Sequence, residues 1–408
     1  MNGKWGTTRR RFMASALLAT SLPFTSSGAA FAQDTGPFKI GQLADMSGIV
    51  VDLSGPGTTT AMQMAIEDFG GEVLGRKIEL ITGDHQNKPD IGIGMARKWY
   101  DEGVNAIFDI GITSVAVGVQ DLAKEKDKPV IFISSSSTDL TGKFCSPNGI
   151  HWIYDSYSQA NGAIRATQAD GPKSWYFLTV DYAFGHNSQR DATTMIEAAG
   201  GTVVGSTPHP FEATDYSSDL LKAQSSGAEV IGLATTTAHI ATILKQAEDF
   251  GIRQSQKIAP LSLTIHDVKA VGLQIAQNIV SSGPFYWDQD DDSRAFSKRY
   301  FERFGRMPNE VQASAWGAVT HYLKAVEAVG STDTGAIMAK MKETPINDFM
   351  TKDGVIRADG RVLRELKMLR VKTPEESTGE WDIYEITGTI PADEAFAPPN
   401  PEACELVR

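Results

Sequence analysis

A regular alternation of short apolar runs with helical periods constrains the fold of this chain most strongly. From residue 38 onward the pattern predicts strands at 38–43, 77–82, 104–110 and 129–134, with helices at 57–68, 89–102 and 115–124 between them. Strands that are joined through helices form a parallel sheet with helices on both faces. The chain is therefore predicted to begin with a doubly wound α/β unit.

The same alternation returns after a break. A loop of polar, Pro and Gly residues covers 141–149, and then helices are predicted at 159–167, 187–199, 216–224 and 238–250 and strands at 174–180, 202–207, 230–234 and 257–261. Later helices are predicted at 293–304, 313–329 and 331–342, and a hairpin at 354–369. A chain of this length usually forms two domains, so we expect a second α/β unit with its own core.

The first 32 residues have the three parts of an export signal. Thr8-Arg9-Arg10-Arg11-Phe12-Met13 is a twin-arginine motif, a weakly apolar stretch covers 14–24, and small residues precede Gln33. This stretch is shorter than the ~20 apolar residues of a membrane span, so it predicts a cleaved signal peptide. General secretion is the alternative to twin-arginine export. We expect a periplasmic chain that begins near Gln33.

The exported chain is distinctly acidic. Residues 1–32 contain four cations and no acid, so their removal changes the formal net charge from −12 to −16. Such a surface repels nucleic acid and anionic lipid, and neither is an expected partner. Seven scattered His residues and the lack of a nucleophile elbow, a phosphate-binding loop or a His-Glu-x-x-His motif give no support to an enzyme or to a bound cofactor.

Cys145 and Cys404 are the two cysteines of the chain. In an oxidising compartment they could form a disulfide that anchors the C-terminal tail, and loop entropy then predicts a stabilisation of about 4–5 kcal/mol. Two separate thiols are the alternative. A zinc site is not indicated, because neither cysteine has another ligand at metal-binding spacing.

Hydroxyl-rich loops follow several of the predicted strands. Gly111-Ile112-Thr113-Ser114 follows the third strand, and five hydroxyl residues in a row, 134–138, follow the fourth. In the second unit the loop 181–185 adds aromatic side chains, and Thr235-Thr236-Thr237 adds hydroxyls. Ligands of doubly wound sheets bind at the carboxyl ends of the strands, where hydroxyls and free amides suit a carboxylate. Simple helix capping explains one hydroxyl in each loop.

Six segments, in order along the chain, resemble one protein family. They are Ile40-Gly41-Gln42-Leu43 with Met46-Ser47-Gly48, 111–114, 133–140, 181–185, Thr214-Asp215-Tyr216-Ser217 and 247–251. The sequence resembles the type I periplasmic binding proteins of branched-chain amino-acid ABC transporters, similar to leucine/isoleucine/valine-binding proteins, over essentially the whole mature chain.

This resemblance implies two doubly wound lobes joined by three crossovers that form a hinge. The N lobe would comprise 37–153 and 283–361, and the C lobe 154–282 and 362–408. A small-molecule ligand would bind in the cleft and close the lobes by hinge bending. The implied partner is an inner-membrane ABC permease, and we expect a monomer without a cofactor.

The resemblance also implies a set of ligand-binding residues. In the family, hydroxyls of the N lobe hold a carboxylate, and aromatic side chains of the C lobe contact the ligand. The matching or adjacent positions in this sequence are Thr113, Ser114, Ser136, Ser137, Thr138, Tyr182, Phe184, Thr236 and Leu261.

One departure from the family concerns the ammonium group of an amino acid. Where members carry a Glu after a strand and a Pro, this chain reads Ala259-Pro260-Leu261-Ser262, and Leu53-Ser54 replaces a family Tyr. Burying an ammonium without an acidic partner is costly, so an aromatic or apolar acid is favoured over leucine. A one-residue shift near Leu261 would undo this interpretation, and Asp267 would then supply the charge.

Two other functions are compatible with the same fold. A ligand-sensing receptor that regulates a signalling partner is the main alternative to delivery of a solute to a permease. An exported enzyme is the third, and it would require turnover of the ligand.

Overall fold

Two largely parallel sheets wrapped by helices form the body of the protein. The computed structural model describes residues 6–8, 36–171 and 173–408, so the twin-arginine motif from Arg9 onward and the predicted cleavage site lie outside the described residues. The chain divides into Met1–Gly36 and Pro37–Arg408, and the helices and strands described belong to the second unit. None of these helices is long and apolar enough to cross a membrane.

The N lobe is built on a six-stranded sheet. Its elements in this part of the chain are β1 (Phe38–Ala44), α1 (Gly55–Phe69), β2 (Glu72–Val73), β3 (Arg76–Asp84), α2 (Pro89–Asp101), β4 (Ala106–Asp109), α3 (Thr113–Lys126), β5 (Val130–Phe132) and β6 (Gly149–His151). The strand order is β2-β3-β1-β4-β5-β6, and β1 runs parallel to both β3 and β4. All four residues of β4 are buried, because helices cover both faces of the sheet.

The C lobe repeats this architecture on a four-stranded sheet of order β10-β9-β7-β8. Its elements are α4 (Ser156–Thr167), β7 (Ser174–Val180), α5 (Ala183–Ala198), β8 (Thr202–His209), α6 (Ser217–Ser225), β9 (Val230–Ala234), α7 (Thr237–Asp249), β10 (Lys257–Pro260), α8 (Ile265–Val271), α9 (Leu273–Ala276) and β11 (Val280–Gly283). The sheet is parallel throughout, so the carboxyl ends of its strands meet at one edge.

The chain then returns to the N lobe and crosses a third time. The returning elements are α10 (Asp291–Phe304), α11 (Glu310–Val329), α12 (Thr334–Glu343), β12 (Val355–Ile356) and β13 (Val362–Leu363). Tyr300 and Tyr322 from these helices share one core with Phe38 and Phe108. The last elements, β14 (Leu366–Val371), β15 (Tyr384–Ile390) and α13 (Ala392–Ala395), lie in the C lobe, where β14 pairs with β11 and β15.

Buried guanidinium groups tie two of the crossings together. Arg361 is 0% exposed, donates to the carbonyl of Ile153 and lies 3.6 Å from the carboxylate of Asp155. Arg364 donates to the carbonyl of Trp152 at 3.1 Å. Burial lowers the pKa of Arg361 to about 9 and that of Arg364 to about 10, so both remain cations at neutral pH. The first and third crossings are thereby held side by side.

The C-terminal tail runs from the C lobe back to the N lobe. It is anchored by Asn161, which donates to the carbonyl of Glu394 at 2.7 Å, and by Arg357, which donates to the carbonyl of Ala397 at 2.9 Å. Cys404 then forms a disulfide with Cys145 in the loop before β6. The bond closes a separation of 259 residues.

Most predicted elements agree with the observed ones, and the alternating α/β pattern gave the doubly wound fold. The strands predicted at 174–180 and 230–234 coincide with β7 and β9. The loop predicted at 181–185 is shorter in the structure, because α5 begins at Ala183. Gly185 permits this early start, since a Cβ there would collide with the carbonyl oxygen of Val180.

The predicted hairpin at 354–369 was only half correct. β12 and β13 form a hairpin, but the residues from Leu366 onward form β14, which pairs in a different sheet. Neither partner of β14 was predicted. β11 has only four residues, too few to show a pattern, and most residues of β15 are exposed, so its sequence shows little apolar alternation. These strands form because they pair with segments distant in the sequence, and not because of a local hydrophobic pattern.

Candidate ligand-binding cleft

A cavity lies between the two lobes at the carboxyl ends of their strands. The free space inside it is about 30 Å³, so its walls nearly meet. Among the described residues, those that line it are all uncharged. They are Val50, Leu53, Gly111, Ile112, Ser134, Ser136, Tyr154, Gln159, Tyr182, Phe184, Thr236 and Ser262.

Three helix N-termini point at this cavity. The residues that precede the first turns of α3, α5 and α7 are Ile112, Tyr182 and Thr236, and all three line the cavity. None of them caps its helix with its own side chain. The first backbone N–H groups of a helix lack intrahelical acceptors, and the helix dipole makes this end positive. The cavity therefore favours an anionic group, with contributions from both lobes.

The wall from the N lobe begins with a strained backbone segment. At the end of β4, Asp109 and Ile110 have φ values of 86° and 63°. Such values are rare for a β-branched residue and persist only where surrounding contacts hold them. The amide of Ile110 donates to the carbonyl of Leu43 at 2.9 Å, and the amide of Ile133 donates to that of Asp109 at 3.2 Å. These bonds set the path of the following residues into the cavity.

A buried carboxylate lies directly behind the same wall. Asp109 is 0% exposed and accepts hydrogen bonds from the hydroxyl of Ser134 and, at 3.0 Å, from Nε2 of Gln42. Burial raises the pKa of Asp109 to about 6, against these hydrogen bonds, which lower it. Since Ser134 lines the cavity and Asp109 does not, the carboxylate orients the serine from behind.

A histidine behind the C-lobe wall leaves one threonine hydroxyl available. Nε2 of His239 lies 2.9 Å from the carbonyl of Phe211, so it carries the proton and Nδ1 accepts. Burial lowers the pKa of His239 to about 4, which keeps the ring neutral at pH 7. Nδ1 has one lone pair, and Thr235 at 2.9 Å is closer to it than Thr236 at 3.3 Å. The hydroxyl of Thr236 can therefore donate to a ligand.

Aromatic and aliphatic side chains form the rest of the cavity. The rings of Tyr182 and Phe184 lie 6.0 Å apart between centroids, and the edge of Tyr182 meets Phe211 at 5.4 Å. Leu53 packs against Tyr154 in a small apolar cluster. This part of the cavity suits a flat or branched apolar group.

The structure brings four of the predicted ligand-binding residues to the cavity: Ser136, Tyr182, Phe184 and Thr236. Two others meet α5 instead of the cavity. The hydroxyl of Ser137 accepts a hydrogen bond from Asn187, and that of Thr138 donates to Asp191 at 2.9 Å.

The remaining predicted residues lie outside the cavity lining. Thr113 is buried, and its hydroxyl has no hydrogen-bond partner among the described residues. Ser114 is exposed on the first turn of α3. Leu261 is 3% exposed and packs in the core of the C lobe with Phe177.

Sequence reasoning missed Val50, Tyr154 and Gln159. Tyr154 lies in the first crossing between the lobes, and Gln159 lies on the buried face of α4. Neither residue follows a predicted strand. The expectation that ligands bind at the carboxyl ends of strands therefore did not select them. The sequence shows Gln159 only as a Gln at the start of a predicted helix, and its burial beside the cavity is visible only in the structure.

The fold and the uncharged cleft between its lobes define a solute-binding protein of the type I periplasmic binding fold. A profile of the family described as "Periplasmic binding protein" matches residues 37–379, and the chain belongs to this family. Its members are solute-binding components of ABC transporters rather than enzymes, which implies a periplasmic or extracellular location and a membrane permease as partner.

Three similar proteins illustrate this relationship. A periplasmic binding protein from Burkholderia mallei is 41% identical, has a TM-score of 0.87 and shares 88% of this chain and 96% of its own. The "Leu/Ile/Val-binding protein homolog 6" of Brucella suis biovar 1 (strain 1330) is 23% identical over 73% of this chain and 78% of its own.

The third similar protein was solved with an aromatic acid. It is a solute-binding protein of an ABC transporter from Rhodopseudomonas palustris BisB5 in complex with 3,4-dihydroxybenzoic acid. It is 21% identical, with a TM-score of 0.78 and coverage of 87% of this chain and 98% of its own. At this identity the likeness concerns the fold.

Proposed function

We propose that the protein binds a small carboxylate-bearing ligand in the cleft between its lobes and delivers it to an inner-membrane ABC permease. An aromatic or apolar acid is favoured over a branched-chain amino acid. The observation that carries the proposal is the convergence of three uncapped helix N-termini on one cavity whose lining residues are uncharged. These N-termini stabilise an anion without a basic side chain.

The anion also explains how binding favours closure. α3 belongs to the N lobe, whereas α5 and α7 belong to the C lobe. A carboxylate between them interacts with both lobes only when the cleft is closed. A ligand shifts a conformational equilibrium by its differential affinity for the two states, and the opposed helix ends provide that difference.

The lining provides no acidic partner for an ammonium group. Of the segment Ala259-Pro260-Leu261-Ser262, where the resemblance expects a Glu, only the uncharged Ser262 lines the cavity. Asp267, the alternative acid, accepts from the amide and hydroxyl of Thr264 at 2.7 and 2.8 Å in the capping box of α8. It is not among the cavity-lining residues. An amino acid would therefore bury its ammonium without a compensating charge.

The related proteins support two ligand classes. The R. palustris protein was solved with a dihydroxybenzoic acid, and the Brucella relative is named for leucine, isoleucine and valine. The aromatic pair Tyr182 and Phe184 and the missing acid favour the first class here.

The cellular route belongs to the same proposal. We propose that the signal 1–32 is removed by cleavage near Ala32, that the mature protein acts as a monomer, and that 37–153 with 283–361 and 154–282 with 362–408 move as the two lobes.

The test is a ligand screen on the chain expressed from Gln33. A ligand that binds only the folded state raises the melting temperature, and at a hundredfold excess over Kd it adds about 2.7 kcal/mol of stability. We expect stabilisation by benzoate, phenylacetate or 4-methylpentanoate and none by leucine or valine, with affinities then measured by calorimetry. Stabilisation by leucine or valine alone would show that the cleft accepts an ammonium and would overturn the ligand assignment.

A further inference from the structure

Two polar side chains on the C-lobe wall bond to each other, and one of them keeps a buried atom without a hydrogen-bond partner among the described residues. Gln159 of α4 and Ser262, two residues after β10, both line the cavity, and Nε2 of Gln159 donates to the hydroxyl of Ser262 at 2.9 Å. Gln159 is 5% exposed, and its Oε1 is buried with no hydrogen-bond partner among the described residues. A buried amide oxygen without a partner loses its solvation without compensation.

The missing partner has a definable chemistry. Oε1 of Gln159 requires a donor, and Ser262, which accepts from Gln159, still has its own proton to donate. A hydroxyl group satisfies both, because it donates and accepts at the same oxygen. An ether oxygen only accepts, and an ammonium only donates and brings a charge that the lining does not neutralise.

A hydroxyl satisfies the pair in either orientation of the amide. If the amide oxygen of Gln159 faces Ser262, then Ser262 donates to it and the NH₂ group faces the cavity. A ligand hydroxyl then accepts from the NH₂ group and donates to Ser262. The complementarity therefore belongs to the Gln–Ser pair, whichever end of the amide meets the serine.

We propose that Gln159 and Ser262 form a hydroxyl-recognising subsite, so that the ligand is a hydroxylated carboxylic acid. This inference rests on the proposed function, since the carboxylate is assigned to the helix N-termini, and it adds a second polar group to the apolar body of the ligand.

The test measures affinities by calorimetry for two matched series. One series is benzoate with 2-, 3- and 4-hydroxybenzoate. The other is 4-methylpentanoate, 2-hydroxy-4-methylpentanoate and leucine, which differ only in the group on the second carbon. In the series that binds, we expect one hydroxy acid to bind at least about tenfold more tightly than the unsubstituted acid, because sites built to bond a hydroxyl discriminate strongly against its absence.

Two variants assign that preference to the pair. Gln159→Met keeps the side-chain length on α4, and Ser262→Ala removes only an oxygen. Each is expected to abolish most of the preference for the hydroxy acid, expressed as the ratio of its affinity to that of the unsubstituted acid in the same variant. Retained binding of the unsubstituted acid also shows that the variant is folded.

The outcomes separate this inference from the proposed function. Binding of the unsubstituted acid as tightly as every hydroxy acid would overturn the subsite and leave the carboxylate assignment intact. If both variants keep the preference for the hydroxy acid, the assignment of the subsite to Gln159 and Ser262 is also overturned. Binding of leucine with no binding of either acid class would overturn both proposals.

Discussion

Neighbouring hydroxyls in the loop after β5 have different environments. Ser136 lines the cavity, whereas Ser137 and Thr138 bond to Asn187 and Asp191 of α5. The side chain of Ser136 has no hydrogen-bond partner among the described residues. Its hydroxyl is therefore free to donate to the ligand, while the other two act between the lobes.

Ser136→Ala is expected to weaken binding of a carboxylate probe such as benzoate by about tenfold or more, because a hydrogen bond to a charged group contributes about 1.5–3 kcal/mol. Calorimetry measures the change. Ser114→Ala is the matched control, since Ser114 is exposed and outside the cavity lining, and we expect less than about a twofold effect. A larger loss in the control would mean that Ser114, rather than Ser136, donates to the carboxylate.

Asp109 makes stability depend on pH in a defined direction. Its pKa is raised from 3.8 to about 6, so between these values the folded protein holds a proton that the unfolded chain has released. The folded state then binds more protons, and this group's contribution to stability falls as pH rises through that window.

Asp109→Asn removes this dependence. We compare the free energy of unfolding of the variant with that of the parent at each pH. This difference is expected to favour the variant by about 2–3 kcal/mol more at pH 7.5 than at pH 4, as measured by urea unfolding. The substitution also alters the hydrogen bonds of residue 109, but it does so at both pH values, so this effect cancels to first order in the comparison. Asp121→Asn on the exposed face of α3 is the control. If both variants show the same change in relative stability between pH 4 and pH 7.5, Asp109 is not the group that makes stability depend on pH.

At the scale of elements, α5 connects the two lobes through one of its faces. Asn187 and Asp191 are one turn apart, and they contact the loop after β5 together with Arg190. The carboxylate of Asp191 also accepts from the hydroxyl of Ser156 at 2.6 Å. The bonds to the loop after β5 join a helix of the C lobe to the N lobe beside the cavity, whereas the bond to Ser156 lies within the C lobe.

Asp191→Asn is expected to weaken ligand binding by about 3- to 30-fold, because the closed state loses charge-assisted hydrogen bonds while the cavity lining is unchanged. Calorimetry gives the affinity, and small-angle scattering with and without ligand gives the extent of closure. Glu197→Gln, which removes a charge from the exposed face of the same helix, is expected to change neither. Unchanged affinity in Asp191→Asn would mean that these contacts do not contribute to closure.

At the scale of the whole molecule, the tail and its disulfide link the lobes outside the cavity. The tail leaves β15 in the C lobe, packs along α4 and reaches Cys404, whose partner Cys145 lies in the N lobe. The three crossings and this bond are thus four covalent connections between the lobes.

Removing the bond with the double substitution Cys145→Ser and Cys404→Ser is expected to lower the free energy of unfolding by about 3–5 kcal/mol, since a long loop loses its constraint in the unfolded chain. Urea unfolding measures the change. The parent protein in a reducing buffer is the control and is expected to unfold like the variant. Two reactive thiols in the unfolded, unreduced parent would contradict the disulfide.

The sequence by itself determined the α/β architecture and the location of the cleft loops. Strands such as β7 and β9 were predicted to the residue because their apolar runs are continuous and end at turn residues. The loops after β4, β5 and β9 were identified as a site because parallel strands end at one edge of a sheet. These features depend on local periodicity and on chain direction, which are properties of short segments.

Only the tertiary structure decided which side chains line the cavity. Five hydroxyls in a row after β5 look equivalent in sequence, but their directions depend on α5, a helix of the other lobe. Tyr154 and Gln159 reach the cavity because a crossing and the first turns of α4 lie beside it. The pairing of β14 with β11 and β15 likewise joins distant segments. Such contacts arise from packing between lobes and strands far apart in sequence, and no short segment encodes them.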